Sequence, residues 1–126
     1  MKLKYLVDSN IVIDHLNRKE RARHWFYSVD TRELAVSFVT CAEVLAGCAK
    51  GPEESIAREV LEQFHCFYAD ATIVHKAADL RRAHGLKLPD AFQAALAVEY
   101  NLTLVTRNTK DFPPKQYSFV HVPYTL

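Results

Sequence analysis

A short apolar run near the start of the chain constrains the fold more than any other feature. Residues 3–7 are rich in β-forming side chains, and apolar residues then recur at nearly helical spacing at Ile11, Val12 and Leu16. This pattern predicts a buried strand that runs directly into a helix. Asp8 lies at the junction, which is where open α/β sheets bind their ligands. Asp8 is therefore a candidate for chemistry, although capping the helix is the more ordinary role for an aspartate at this position.

Strand and helix patterns alternate along the rest of the chain. Further strands are predicted within residues 34–39, 65–68, 102–106 and 119–122, and helices at about 22–29, 40–49, 52–64, 71–84 and 88–98. One helix has a clear signal at both ends, because Asp70 can cap its start and Gly85 suits its terminus. The alternation predicts an α/β fold, with one domain over residues 1–126 and a central, mainly parallel sheet flanked by helices on both faces.

Composition excludes several classes of protein. The 126 residues include 16 basic and 15 acidic side chains, and this formal net charge of +1 argues against a cationic coat that binds nucleic acid indiscriminately. Cys41, Cys48 and Cys66 lack the paired spacing of a zinc or redox site, so we expect reduced, buried thiols. No apolar run approaches the roughly 18 residues that a membrane span needs. We therefore expect a soluble, cytoplasmic protein that does not contact a membrane.

Four acidic side chains follow strands or open helices, which makes them candidates for one common site. They are Asp8, Glu43, Asp90 and Asp111. Those near helix starts have an ordinary explanation if taken singly, since acids are favoured in the first turn of a helix. Glu43 also completes a capping box that begins at Thr40. As a set, however, the four are predicted to meet at the same edge of the sheet.

A carboxylate cluster of this kind needs a counter-charge. At separations of about 5 Å and an effective dielectric constant near 20, each pair of carboxylates would repel by roughly 3 kcal/mol. Three such pairs would offset much of a typical folding stability of about 5–15 kcal/mol. An all-oxygen site suits Mg²⁺ or Mn²⁺, and such an ion can lower the pKa of bound water and neutralise a phosphodiester. The cluster thus predicts metal-dependent hydrolysis of a phosphate ester.

Four short motifs resemble the ordered motifs of one family. They are Val7-Asp8-Ser9-Asn10, Thr40-Cys41-Ala42-Glu43, Leu88-Pro89-Asp90-Ala91 and the segment VTRNTKDF at residues 105–112. In this order they resemble the motifs of PIN-domain ribonucleases, especially the VapC toxins of toxin–antitoxin pairs. The resemblance spans nearly the whole chain, and the four motifs together are far more specific than any one of them.

The resemblance implies an endoribonuclease toxin with a carboxylate-bound Mg²⁺ or Mn²⁺. Asp8, Glu43 and Asp90 would hold the metal and activate the water that cuts RNA. Ser9 and Thr106 would support the site through hydrogen bonds from their hydroxyl groups.

The fourth acidic position has two candidates. Some relatives have an acid where this chain has Asn108, whereas Asp111 lies three residues further on, so either residue would complete the site. Asn10 is a supporting candidate beside Asp8. Asp14 is a weaker one, because its position predicts a solvated helix residue.

Basic residues and partners complete the prediction. Arg107 and Lys110 flank the expected site and would contact RNA phosphates, although exposed loop charges explain them equally well. By resemblance, the partners are a cognate antitoxin that blocks the acidic site, a second copy of the chain in a homodimer, and a tRNA, rRNA or mRNA substrate.

Two other classes of protein compete with this interpretation. A PIN-like module that has lost catalysis and only binds RNA or protein is the main alternative, but clustered acids give such a module no evident benefit. By resemblance, a response-regulator receiver would need a phosphoacceptor aspartate after a middle strand, and a haloacid-dehalogenase-type phosphatase a DxD opening. This chain has Asp8-Ser9-Asn10 instead, so both match poorly.

Overall fold

The computed structural model describes residues 2–126, and its centre is a five-stranded parallel sheet. The strands are β1 (Tyr5–Val7), β2 (Leu34–Ser37), β3 (His65–Phe67), β4 (Thr103–Val105) and β5 (Val120–His121). Their order across the sheet is β3-β2-β1-β4-β5, and every neighbouring pair is parallel. The first strand of the chain therefore lies at the middle of the sheet.

Six α-helices cover the two faces of this sheet. They are α1 (Ser9–Leu16), α2 (Glu20–Ser28), α3 (Phe38–Ala46), α4 (Pro52–Glu62), α5 (Ala71–His84) and α6 (Leu88–Glu99), with a short 3-10 turn at Thr31–Glu33. Within residues 2–126, no helix is long and apolar enough to cross a membrane.

Alternation along the strands builds two hydrophobic cores. Leu6 of β1 packs in the core that contains α5 and α6, whereas its neighbour Val7 packs in the core that contains α1 to α4. Successive residues of a strand point to opposite faces, so both are fully buried. The predicted α/β fold with helices on both faces is confirmed.

The register of the sheet determines where the site forms. Leu6 is aligned with Ala35 of β2 and with Leu104 of β4. Because the strands are parallel and in register, the residues that follow β1 and β4 emerge at the same edge. This alignment brings Asp8 and Thr106 together although 98 residues separate them.

The predicted start of α3 is wrong. The helix begins at Phe38 rather than Thr40, because β2 ends at Ser37 and the Ser37 hydroxyl accepts a hydrogen bond from the Thr40 backbone N–H at 3.2 Å. Ser37 is therefore the N-terminal cap, and Thr40 and Glu43 do not form a capping box. A capping box therefore does not explain the presence of Glu43.

The predicted α5 is confirmed at both ends. The Asp70 side chain accepts a hydrogen bond from the Ile73 backbone N–H at 3.0 Å, and Gly85 ends the helix with a left-handed φ of 70°. Glycine adopts this conformation without the steric cost that other residues meet. The helix consequently spans the predicted residues.

The cysteines are free thiols, but they are partly rather than fully buried. The sulfur atoms of Cys41 on α3 and Cys66 on β3 lie 3.8 Å apart. Burial, followed by the neighbouring Cys66 thiol, raises the pKa of Cys41 to about 12. Cys41 is therefore protonated at neutral pH.

Candidate active site

Asp8 is the most heavily hydrogen-bonded side chain of the site. It is 5% exposed, caps α1 and accepts a hydrogen bond from the Ser9 backbone N–H at 2.8 Å. The Thr106 hydroxyl donates to Asp8 Oδ2 at 2.7 Å, and the Asn10 amide donates to the same oxygen at 3.2 Å. These donors satisfy the acceptor positions of a carboxylate that is buried away from water. Capping and site formation are thus compatible roles of one residue.

Gln93, which was not predicted to belong to the site, supplies a fourth donor to Asp8. Its amide nitrogen donates to Asp8 Oδ1 at 3.1 Å and to the Thr40 hydroxyl oxygen at 2.8 Å. Gln93 is 1% exposed, and within residues 2–126 its carbonyl oxygen has no hydrogen-bond partner. An unpaired buried polar group of this kind costs about 1–3 kcal/mol. One local signal for it existed, because Gln93 is the only polar residue in the run from Ala91 to Val98.

Glu43 faces the start of α1. Its carboxylate accepts a hydrogen bond from the Ser9 hydroxyl at 3.0 Å, between residues 34 positions apart in the chain. The side chain is exposed, so water reaches it. Glu43 therefore lies at the open side of the site, and Asp8 lies at its buried side.

The pKa of Asp90 reflects the charges of the other three acids. It lies in the first turn of α6, and its pKa is raised from 3.8 to about 6. Burial is the largest cause, followed by the charges of Asp111, Asp8 and Glu43, while Lys87 acts in the opposite direction. The structure thus brings the other three predicted carboxylates within electrostatic reach of Asp90.

The two candidates for the fourth position are joined to each other. The Asn108 amide donates to Asp111 Oδ2 at 3.0 Å, and the Asp111 backbone N–H donates to Asn108 Oδ1 at 3.2 Å. The Asn108 backbone N–H also donates to the Thr106 hydroxyl at 3.0 Å. Asn108 therefore orients the loop, whereas Asp111 contributes the charge that affects Asp90 most among the acids.

Arg107 is held by Asp14, contrary to the prediction of a solvated Asp14. Arg107 Nε donates to Asp14 Oδ2 at 2.6 Å and Nη2 donates to Oδ1 at 3.0 Å, and the Asp14 side chain is only 7% exposed. The Tyr124 hydroxyl donates to the same carboxylate at 2.8 Å. A hydrogen bond from the Arg107 backbone N–H to Asn10 at 3.0 Å ties this cluster to the site. Lys110, the other predicted RNA contact, is exposed.

The donor set fits a hard divalent cation that keeps part of its water shell. The four carboxylates offer only oxygen ligands, which Mg²⁺ and Mn²⁺ prefer. Across residues 2–126, no three His, Cys, Asp or Glu side chains are arranged to hold an ion by themselves. Mg²⁺ commonly keeps several waters and takes only one or two protein carboxylates, so it does not require such a cage.

Comparisons with known proteins identify the family of this chain. The family model described as PIN domain matches residues 5–114. A curated relative named Ribonuclease VapC10, from Mycobacterium tuberculosis H37Rv, is 34% identical over 114 residues, which are 86% of this chain and 85% of the relative. This chain belongs to the PIN-domain family of VapC-type toxins. The family resemblance of its motifs is thereby confirmed.

Solved structures extend the likeness of this PIN domain to toxin–antitoxin assemblies. A toxin–antitoxin complex from Klebsiella pneumoniae has a chain with a TM-score of 0.88 and 33% identity, covering 98% of this chain and 100% of that one. FitAcB from Neisseria gonorrhoeae has a TM-score of 0.76 and 25% identity, with 97% and 99% covered. Both comparisons include the segment beyond residue 114 that the family model does not match.

Proposed function

We propose that this PIN domain is a metal-dependent endoribonuclease that acts in the cytoplasm as the toxin of a toxin–antitoxin pair. The observation that carries the proposal is the hydrogen-bond geometry that gathers the acids: Gln93, one turn after Asp90, donates to Asp8 at 3.1 Å, and the Ser9 hydroxyl beside Asp8 donates to Glu43 at 3.0 Å. A protein gains stability by keeping such acids apart, so their convergence calls for a cation as counter-charge. The 34% identity to a protein named as a ribonuclease supports the same conclusion.

The four carboxylates are the proposed metal ligands of the site. Asp8, Glu43, Asp90 and Asp111 would hold Mg²⁺ or Mn²⁺ among them. When bound, such an ion lowers the pKa of a coordinated water and neutralises charge on the phosphodiester. Asp8 is fixed by its donors and keeps its orientation. At Asp90 a bound cation would offset the repulsion from Asp111, Asp8 and Glu43.

Supporting residues set the positions of these acids. The Ser9 hydroxyl orients Glu43, and the Thr106 hydroxyl orients Asp8. The Asn10 amide donates to both Asp8 and Thr106, so it connects the ends of β1 and β4. Their role is to hold the carboxylates in place before metal and RNA arrive.

RNA phosphates would lie against the loop that follows β4. Lys110 is exposed there and can act as a sequence-independent phosphate contact. Arg107 is committed to Asp14 through Nε and Nη2, so only its remaining N–H groups would meet a phosphate. We therefore expect Lys110 to contribute more to RNA affinity, whether the substrate is a tRNA, an rRNA or an mRNA.

Cleavage of a mixed tRNA and rRNA pool tests the proposed activity. The purified chain is incubated with Mg²⁺ or Mn²⁺ and, in parallel, with EDTA. We expect cleavage with metal and none with EDTA. Asp90→Asn should lower the rate by at least about a hundredfold, since the variant loses a carboxylate that holds the metal.

Asp79→Asn is the matched control, because Asp79 is 70% exposed on α5 and pairs with Arg82 of its own helix. This control should cleave like the unmodified chain. Unchanged cleavage by Asp90→Asn would refute the site. Absence of any metal-dependent cleavage by the folded, antitoxin-free chain would favour the binding module over the nuclease.

An apolar groove beside the site suits a segment of the antitoxin. Two adjoining cavities of about 320 and 410 Å³ share Leu16 of α1 and Ile56 of α4. Ile56 is 58% exposed and Ile13 is 36% exposed, so the groove presents apolar surface to water. Ile13 lies roughly 8 Å along α1 from Asp8 at the usual helical rise. A segment in the groove is thus close enough for a basic side chain to reach the carboxylates.

Binding to the product of the adjacent gene tests this partner. We expect Ile56→Asp to weaken antitoxin binding by at least about tenfold, because it places a charge in an apolar contact. Val74→Asp is the control, since Val74 is 45% exposed but lies on α5 at the other face of the sheet. Equal affinities for the two variants would exclude the groove. Light scattering on the free chain measures whether the expected homodimer forms.

A further inference from the structure

We infer that Gln93 is a positioning residue that fixes the metal-binding orientation of Asp8, an inference that rests on the proposed function. Gln93 lies on α6, one turn after Asp90. Its amide nitrogen donates to Asp8 Oδ1 from the side of α6, the Ser9 backbone N–H donates to the same oxygen from α1, and the Thr106 hydroxyl donates to Asp8 Oδ2. The two oxygens of the carboxylate are thus held separately, which fixes its plane.

The same amide connects Asp8 to the helices that bear the other acids. Its second hydrogen bond goes to the Thr40 hydroxyl at 2.8 Å, and Thr40 lies on α3, the helix of Glu43. The Thr40 hydroxyl in turn donates to the Val7 carbonyl at 3.3 Å, directly before Asp8. A single buried amide therefore links α6, α3 and the end of β1. The positions of Asp8, Glu43 and Asp90 are coupled through it.

Packing alone does not explain a glutamine at this position. Gln93 is 1% exposed, and Ala91, Ala94, Ala95 and Ala97 around it on α6 are fully buried. Within the described residues its carbonyl oxygen has no hydrogen-bond partner. An apolar side chain of the same length would avoid that unpaired group. The feature that only the amide provides is its pair of donors, and a carboxylate such as Asp8 can only accept.

Metal affinity separates this role from a structural one. In Gln93→Met the side chain keeps its length but loses both donors. We expect the dissociation constant for Mn²⁺, measured by titration calorimetry, to rise about 10–100-fold. Cleavage should recover to within about threefold of the unmodified rate at saturating Mn²⁺, because the metal itself then reorients Asp8. The melting temperature without metal should stay within about 4 °C of the unmodified chain.

Two further variants test whether the loss of Mn²⁺ affinity is specific to the Gln93 amide. Gln63→Met is the matched substitution at an exposed glutamine after α4, and it should bind Mn²⁺ like the unmodified chain. If Gln93→Met does not fold, Gln93→Asn replaces it, because its amide falls one methylene short of Asp8, and the same loss of affinity is expected.

Two outcomes overturn the inference. If the unmodified chain binds Mn²⁺ and the folded Gln93 variant binds it equally well, the positioning role is wrong while the proposed function stands. If the unmodified chain neither binds Mn²⁺ nor cleaves RNA, the proposed function and the inference both fail.

Discussion

At the scale of single residues, Asp90 differs from an ordinary aspartate because burial and three other acids act on it. Its pKa of about 6 lies well above the usual value of 3.8. Above pH 6 the folded, metal-free protein therefore has an ionised Asp90 in an unfavourable place. As the pH falls through 6, protonation removes the repulsion in the folded state before the unfolded state takes up the same proton.

This order of protonation predicts a pH-dependent effect of Asp90→Asn. The variant should melt at a higher temperature than the unmodified chain above pH 6, without metal, since it lacks the repelled charge. The advantage should shrink as the pH falls and vanish below about pH 4, where both states of the original residue are protonated. Melting curves from pH 4 to 8 in EDTA measure the difference. A constant difference across that range would contradict the assignment of the shift to Asp90.

Tyr124 is a second residue of interest, because its hydroxyl contributes to stability through one hydrogen bond, to Asp14. Burial and its hydrogen bond to Asp14 raise the Tyr124 pKa above its ordinary value. Tyr124→Phe should lower the free energy of unfolding by about 1.5 kcal/mol, because the lost hydrogen bond goes to the buried Asp14 side chain that also pairs with Arg107. Urea denaturation measures the loss. Tyr27→Phe, at a residue that is 84% exposed, should leave the stability unchanged.

Some site residues could be identified from the sequence and others could not. Asp8, Glu43, Asp90 and Asp111 belong to short motifs that local position makes visible. Asp14 was misjudged because its partner Arg107 lies 93 positions away, and a one-dimensional pattern contains no information on that contact.

At the scale of secondary-structure elements, prediction succeeded where both ends have local signals. The bounds of α5 follow from Asp70 and Gly85, whose capping interactions involve residues within one turn. The start of α3 was misplaced because Phe38 and Val39 suit a strand as well as a helix. Ser37 is the cap because β2 ends there, and the end of that strand depends on tertiary contacts that the local sequence does not determine.

The helix terminus at Gly85 gives an element-scale prediction. Gly85→Ala should lower the free energy of unfolding by about 1 kcal/mol, because the φ of 70° strains any residue with a Cβ. Gly47→Ala is the control, since Gly47 has an ordinary φ of −83° and a Cβ there would make only normal contacts at 3.6 Å. Urea titrations should show a loss for the first variant and none for the second.

At the scale of the whole molecule, a bound metal and the fold should stabilise each other. An ion that binds only the folded state at one hundred times its dissociation constant adds about 2.7 kcal/mol to the free energy of unfolding. We therefore expect Mn²⁺ to raise the melting temperature in a concentration-dependent manner and EDTA to reverse the rise. Asp90→Asn should reduce this increment. An equal increment in the variant would place the ion elsewhere.

The central position of β1 also determines when the site can form during synthesis of the chain. β1 pairs with β4 (Thr103–Val105), although the two strands lie far apart along the chain. Because the Thr106 hydroxyl donates to Asp8, no nascent fragment that ends before β4 can hold Asp8 in its final orientation. The complete constellation of side chains therefore arises only after β4 has been made, so a shorter nascent fragment has no assembled site.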